Sequence, residues 1–194
     1  MQPGYGERVM GVDIARFGED SNAVVILEQR SPLYWQMVHA QEWREQDLNF
    51  TTGKILEIIN DFHVGYTSID TDGLGSGPFD ALTRGRNLEG ISGFHNGALS
   101  VDRSRDFGNE RTKYAYKLKD LISKGHIALN NEKLISELLS LKYKFDAHQR
   151  RLLFSKDHMR KEGVKSPNLA DSCLYACSMI YSIAERQGRK FEAA

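Results

Sequence analysis

Three apolar, β-rich runs follow one another at the start of the chain, and they narrow the possible folds more than any other feature. Arg8-Val-Met-Gly-Val-Asp-Ile-Ala15 leads through a polar turn at 16–22 into Ala23-Val-Val-Ile-Leu27. Two such runs joined by a loop bearing Gly and Asp predict a hairpin. Residues 34–39, preceded by Pro32, add the third strand of an antiparallel meander. The pattern then changes. Leu48, Ile55, Leu56, Ile58, Ile59 and Phe62 recur at helical spacing, with Asn49 or Thr51 to cap the start. A strand at 66–70, the turn Thr71-Asp-Gly-Leu-Gly-Ser-Gly-Pro78, a short helix at 79–86 and a strand at 91–94 come next. A meander followed by strand–helix alternation predicts an α/β fold on a mixed sheet.

In the second half, 100–107 is polar and aperiodic and is expected to be a loop. Tyr114, Leu118, Leu121 and Ile122 mark a helix over 109–124, which Gly125 ends. An extended piece at 126–129, a helix at 132–141 and a hairpin at 142–154, with Asp146-Ala-His-Gln149 at its tip, precede the last helix. That helix is expected to start with Ser166 as N-cap and Pro167 in the first helical position. It then runs through Leu169, Cys173, Leu174, Ala176, Cys177, Ile180 and Ile183 to about 186, apolar on most sides, as a helix packed on a sheet should be. At 194 residues the whole chain is about one domain, with 1–9 and 187–194 as flexible ends.

Composition closes off other classes. The chain is 40% hydrophobic and 27% charged, which suits a globular protein and not a disordered one. No apolar run reaches the ~18 residues of a membrane span, and the start lacks a signal-peptide profile. Two cysteines, Cys173 and Cys177, make neither a disulfide framework nor a zinc ligand set, which fits a reducing setting. The net charge of zero hides an asymmetry. Residues 1–100 hold 7 Lys+Arg against 14 Asp+Glu, a balance of −7, whereas 101–165 hold 16 against 9, a balance of +7. Such a split fits a site that gathers cations beside a surface that meets an anion, and equally fits uneven solvated faces.

Three carboxylates stand where carboxylates are costly. Asp13 lies inside the first apolar run. Asp70, with Asp72 two residues on, ends a strand before a glycine-rich turn. Asp171 sits in the first turns of the apolar last helix. Singly, Asp70 reads as a turn residue and Asp171 as a partner of the helix dipole; mid-strand Asp13 has no such ordinary role. Taken together, buried acids repel one another and hard divalent cations relieve the conflict, so the set points to Mg²⁺ or Mn²⁺.

Gly11-Val-Asp-Ile-Ala15 with Gly18-Glu-Asp-Ser-Asn-Ala23, then Ile69-Asp-x-x-Gly-x-Gly75, then Lys156-Asp…Lys165-Ser-Pro-Asn-Leu-Ala-Asp-Ser172, resembles the nuclease domain of tailed-phage terminase large subunits. The resemblance runs from about Met10 to Ile183. It implies an RNase H-like fold, endonucleolytic cutting of double-stranded DNA during genome packaging, and two divalent ions. Asp13, Asp70 and Asp171 would be the metal-binding acids, with Asp72 as an alternative or additional ligand and Asp13 in the bridging position. Many relatives have Asp where this chain has Asn168, so that side chain is not expected to be an essential ligand. The resemblance also implies a portal protein, a small terminase subunit and an ATPase motor domain as partners, in the host bacterial cytoplasm and away from membranes. No Gly-x-x-x-x-Gly-Lys-Ser/Thr occurs, so the chain looks like the nuclease half alone and is not expected to hydrolyse ATP.

Phosphate contacts are expected from the basic segment: Arg103, Arg105, Arg111, Lys113 and Lys117, then Lys156, Arg160, Lys161 and Lys165 near the acids. Two alternatives stay open at this stage. A sugar-kinase or actin-like domain also has an early Asp near glycines but needs a second phosphate loop. A non-catalytic RNase H-like module would dock DNA or a portal protein without cutting.

Overall fold

The computed structural model describes the chain except residues 1–5, 16–19, 46, 73, 86–89, 100–105, 189–190 and 192–194. The strands β1 (Arg8–Asp13), β2 (Asn22–Ser31), β3 (Tyr34–Trp43), β4 (Tyr66–Asp70), β5 (Ile91–Phe94) and β6 (Ile127–Ala128) form one sheet in the order β5-β4-β1-β2-β3-β6. β1, β2 and β3 pair antiparallel, whereas β4 runs parallel to β1 and β5 parallel to β4. This is the mixed sheet that the meander and the later alternation predict. The hairpin of β7 (Tyr143–Phe145) and β8 (Arg151–Leu153) stands apart from it, its turn tied by the Asp146 carboxylate, which accepts from the His148 and Arg150 N–H groups. Arg8 and Val9, assigned above to a flexible end, belong to β1 because Val9 is fully buried in the core.

The alternation of side chains along the strands sorts the core into two layers. Met10, Val12, Ile14, Val24 and Ile26 pack with Ile55 and Ile58 of α1 (Leu48–Asp61) on one face. Val9, Ala23, Val25 and Leu27 pack on the other with α3 (Glu110–Ser123), α4 (Glu132–Ser140) and α6 (Asn168–Arg186). Gly11 lies under α6, and a Cβ there would stand 1.8 Å from the Ser172 carbonyl oxygen. Only glycine lets the helix backbone rest that close to the central strand.

Several predicted boundaries move for local reasons. α1 is capped by Asp47, which accepts from the Asn49 and Phe50 N–H groups, and not by Asn49 or Thr51. The helix expected at 79–86 starts earlier, as α2 (Ser76–Asp80) followed by a π-helical turn, Ala81–Gly85. The chain can fold back there because Gly75 sits against the Asp70 carbonyl, where a Cβ would lie 1.7 Å from the oxygen. α6 starts one residue late: the Pro167 carbonyl accepts the Asp171 N–H, and Ser166 makes no capping bond. Glu137 of α4 does that work from across the gap, its carboxylate accepting the Ala170 N–H at 3.0 Å. A further short helix, α5 (Lys156–Lys161), has a Ser155 cap and buries only Met159, too little apolar periodicity to be read from sequence.

Candidate metal centre

The strand register brings Asp13 and Asp70 together. Val12 pairs with Ile69 across parallel β1 and β4, so the next residues, Asp13 and Asp70, end adjacent strands at the same edge. Parity then sets the face. Val9 and Gly11 face α6, and Asp13 follows them two residues on; Ser68 hydrogen-bonds Ser178 of α6, and Asp70 follows it in the same way. Asp171 enters from the first turn of α6. Three acids thus meet at the carboxyl ends of parallel strands, the edge where open α/β sheets hold their ligands. They adjoin a cleft of about 490 Å³ lined by Asp70, Asp72, Asp171, Arg111, Lys156 and residues of the β7–β8 hairpin and α5.

The charges are buried and mutually held. Asp13 is 1% exposed, Asp70 8% and Asp171 0%. Lys156 Nζ donates to Asp13 Oδ2 at 2.7 Å and stands 3.4 Å from Asp171 Oδ2. Arg111 Nε donates to Asp171 Oδ1 at 2.8 Å, and its Nη1 to the Phe154 carbonyl at 2.9 Å. Three carboxylates against two cations leave a formal balance of −3 + 2 = −1. Burial pushes the Asp13 carboxyl above its ordinary range, opposed by Lys156 and reinforced by Asp171. Burial also lifts Asp70 to about 7, with the Asp13 charge adding to the rise. For Lys156 burial works against the charge, but Asp13 and Asp171 outweigh it and hold the ammonium protonated well above its usual range.

The donors suit a hard divalent cation. Asp13 Oδ1 and Asp171 Oδ2 are buried and accept no hydrogen bond, an expensive state that an ion would relieve. Among the described residues no group of three or more His, Cys, Asp or Glu side chains is placed to hold a metal ion with Lys156 where it stands. Lys156 stands among the acids, where its single charge partly does what an ion would do more fully.

The other predicted residues fall in different places. Asp70 Oδ1 accepts the Asp72 N–H at 2.9 Å, a strand-end turn bond, while the rest of its environment is the acid cluster. Asp72 points elsewhere: its Oδ2 accepts the Gly97 N–H at 3.1 Å and its Oδ1 lies 3.3 Å from His95 Nδ1, which makes it a rim residue. Asn168 is 5% exposed and lines the cleft. Arg111 and Lys156, expected at phosphates, are bound to the acids themselves. Lys113 pairs with Glu110, and Lys117 lies over the Tyr181 and Tyr114 rings; neither lines the cleft. Arg160 lines it, half-exposed, with Asp157 at 3.0 Å. Lys161 and Lys165 are exposed. Arg103 and Arg105 lie outside the described residues.

Sequence reasoning missed Lys144 and His158, which also line the cleft, and the internal role of Arg111. The signal for Arg111 was present: seven residues before Leu118, it shares the buried stripe of α3.

No protein-family model matches the chain, and no curated protein matches it. Solved structures do. The nuclease domain of the large terminase subunit of bacterial virus Sf6 superposes with a TM-score of 0.75 at 21% identity, over 89% of this chain and 88% of that one. The large terminase nuclease domain of bacteriophage SPP1, solved with bound Mn, gives 0.52 at 16% identity, over 94% and 88%. RuvC of T. thermophilus, in complex with a Holliday junction substrate, gives 0.51 at 10% identity, over 93% and 96%. At such identities the likeness is one of fold. The chain has the RNase H-like fold of the terminase nuclease domains, with its three buried acids at the carboxyl edge of the sheet.

Proposed function

We propose that the chain is a metal-dependent endonuclease that cuts double-stranded DNA with little sequence preference during viral genome packaging. One observation carries this: Asp13, Asp70 and Asp171, from three separate elements, are buried at one sheet edge with two carboxylate oxygens left unsatisfied. Asp13, Asp70 and Asp171 would hold two divalent ions, Mg²⁺ or Mn²⁺, with Asp72 at the rim. Bound there, such ions supply an activated water and stabilise the leaving oxygen of the phosphodiester. The chain's own residues do the rest. The rigid sheet fixes two acids and α6 the third. Lys156 holds the Asp13 and Asp171 charges together in the metal-free site. Lys144 and Arg160, which both line the cleft, take phosphate oxygens, and Lys161 and Lys165 extend the basic path.

By the same reading the chain works with an ATPase motor domain, a portal protein and a small terminase subunit in the host bacterial cytoplasm. No helix among the described residues is long and apolar enough to cross a membrane. The test is nicking of supercoiled plasmid with Mn²⁺ or Mg²⁺. Cutting that chelator abolishes and Asp13→Asn removes supports the proposal. Equal cutting by Asp13→Asn and parent overturns it, and intact plasmid with retained DNA binding leaves the docking module. Thermal stabilisation by ATP instead of metal would favour the sugar-kinase alternative.

A further inference from the structure

Arg111 is 6% exposed, and all that it is seen to touch belongs to the machinery around the cleft. We infer that Arg111 is a positioning residue that decides which oxygen of Asp171 is offered to a metal ion, so that Asp171 binds through Oδ2 alone. The local structure explains how it gets there. Asn109 caps α3 by accepting the Thr112 N–H, which sets the first turn and sends Arg111 inward beside Thr112. Thr112 in turn accepts the Leu153 N–H, locking α3 to β8. The guanidinium is therefore held at two points in its plane, by Asp171 Oδ1 at 2.8 Å and by the Phe154 carbonyl at 2.9 Å.

A planar guanidinium anchored on the Phe154 carbonyl fixes where its Nε meets Asp171, while its Nη2 is buried without a partner. Oδ1 of Asp171 is committed to Nε. Oδ2 accepts no hydrogen bond and faces Lys156 Nζ at 3.4 Å. With Oδ1 already accepting from Nε, Oδ2 is the oxygen left without a donor and therefore the one offered to an ion. The Phe154 bond adds a second consequence. Phe154 lies two residues before Lys156, so one guanidinium positions both the third acid and the backbone that carries the competing cation.

Only the metal and activity measurements rest on the nuclease proposal; the geometric one does not. Crystal structures of Arg111→Gln and Arg111→Lys are compared with the parent, all without metal. In Arg111→Gln the Asp171 carboxylate is expected to turn, bringing Oδ1 toward Lys156. In Arg111→Lys, which keeps the charge but not the fork, the Phe154 carbonyl bond is expected to be lost. Mn²⁺ affinity is then read by calorimetry. Removing one positive charge changes the site balance from −1 to −2, so Arg111→Gln should bind Mn²⁺ at least about threefold more tightly. Arg111→Lys should stay within about threefold of the parent, and both should nick plasmid at least about tenfold more slowly at saturating metal. A purely structural role would lower the melting temperature of both variants while leaving Mn²⁺ affinity and saturated rate unchanged. That result, or an Asp171 carboxylate unmoved in Arg111→Gln, overturns the inference. If the carboxylate turns but the parent binds no Mn²⁺, the metal proposal fails and the positioning role stands.

Discussion

The two faces of β1 make an instructive contrast. Met10, Val12 and Ile14 point toward α1 into a layer whose buried apolar members are aliphatic or Met, with uncharged Thr51 of α1 buried beside them. Val9, Gly11 and Asp13, from the same six-residue stretch, point toward α6 into a layer threaded with polar groups. There Ser172 donates to the Ala23 and Asn168 carbonyls, Ser178 meets Ser68, and Arg111 and Lys156 meet the acids. One face holds the fold together by apolar burial. The other lets a helix backbone come so close to the strand that charges from separate parts of the chain meet at one sheet edge. Alternation along a strand is enough to separate these roles, because neighbouring side chains never share a face.

The contrast can be broken from either side. Asp13→Ala should cost at least about 10²–10³-fold in nicking rate, the scale of removing one oxyanion-hole donor from an acyl-transfer site. Plasmid assays at saturating Mn²⁺ check it. Ile26→Ala, on the opposite face, should cost about 2–5 kcal/mol in denaturant titrations while leaving the folded protein's Mn²⁺ affinity at the parent value. Gly11→Ala joins the two effects. Its Cβ must push α6 off the strand, costing about 1–3 kcal/mol and weakening metal binding together.

The smallest effect is a pH dependence on the α6 face. Burial lifts Glu137 to about 7, although the Ala170 N–H it accepts works the other way. Between its ordinary range near 4.5 and about 7 the folded state therefore keeps a proton that the unfolded state has lost. Stability from this group falls as pH rises through that window and levels off above it. Glu137→Gln should flatten that part of the metal-free stability curve, read as melting temperature from pH 4.5 to 7.5 in chelator. An unchanged slope would remove Glu137 from the account.

Much of the fold was legible because strand and helix periods are local. The meander, the parallel strands at β4 and β5, α3 with its glycine stop and the separate hairpin all show in residue spacing. The caps of α1 and α6 did not, because the groups that bind their first N–H groups are Asp47, one residue outside the pattern, and Glu137, some thirty residues away. The acids could be singled out, since Asp13 inside an apolar run is anomalous on its own. Their counterions could not. Lys156 and Arg111 look like two more members of a basic segment until the chain folds them against Asp13 and Asp171. Distance in sequence hides a buried pair: 143 residues separate Lys156 from Asp13 and 60 separate Arg111 from Asp171.

The most direct test of the central claim is anomalous diffraction from a crystal soaked in Mn²⁺. The account predicts two peaks, bonded between them to Asp13, Asp70 and Asp171 Oδ2, with Lys156 displaced from Asp13. Manganese bound only elsewhere, with Lys156 still bonded to Asp13 at a concentration that supports cutting, would contradict it.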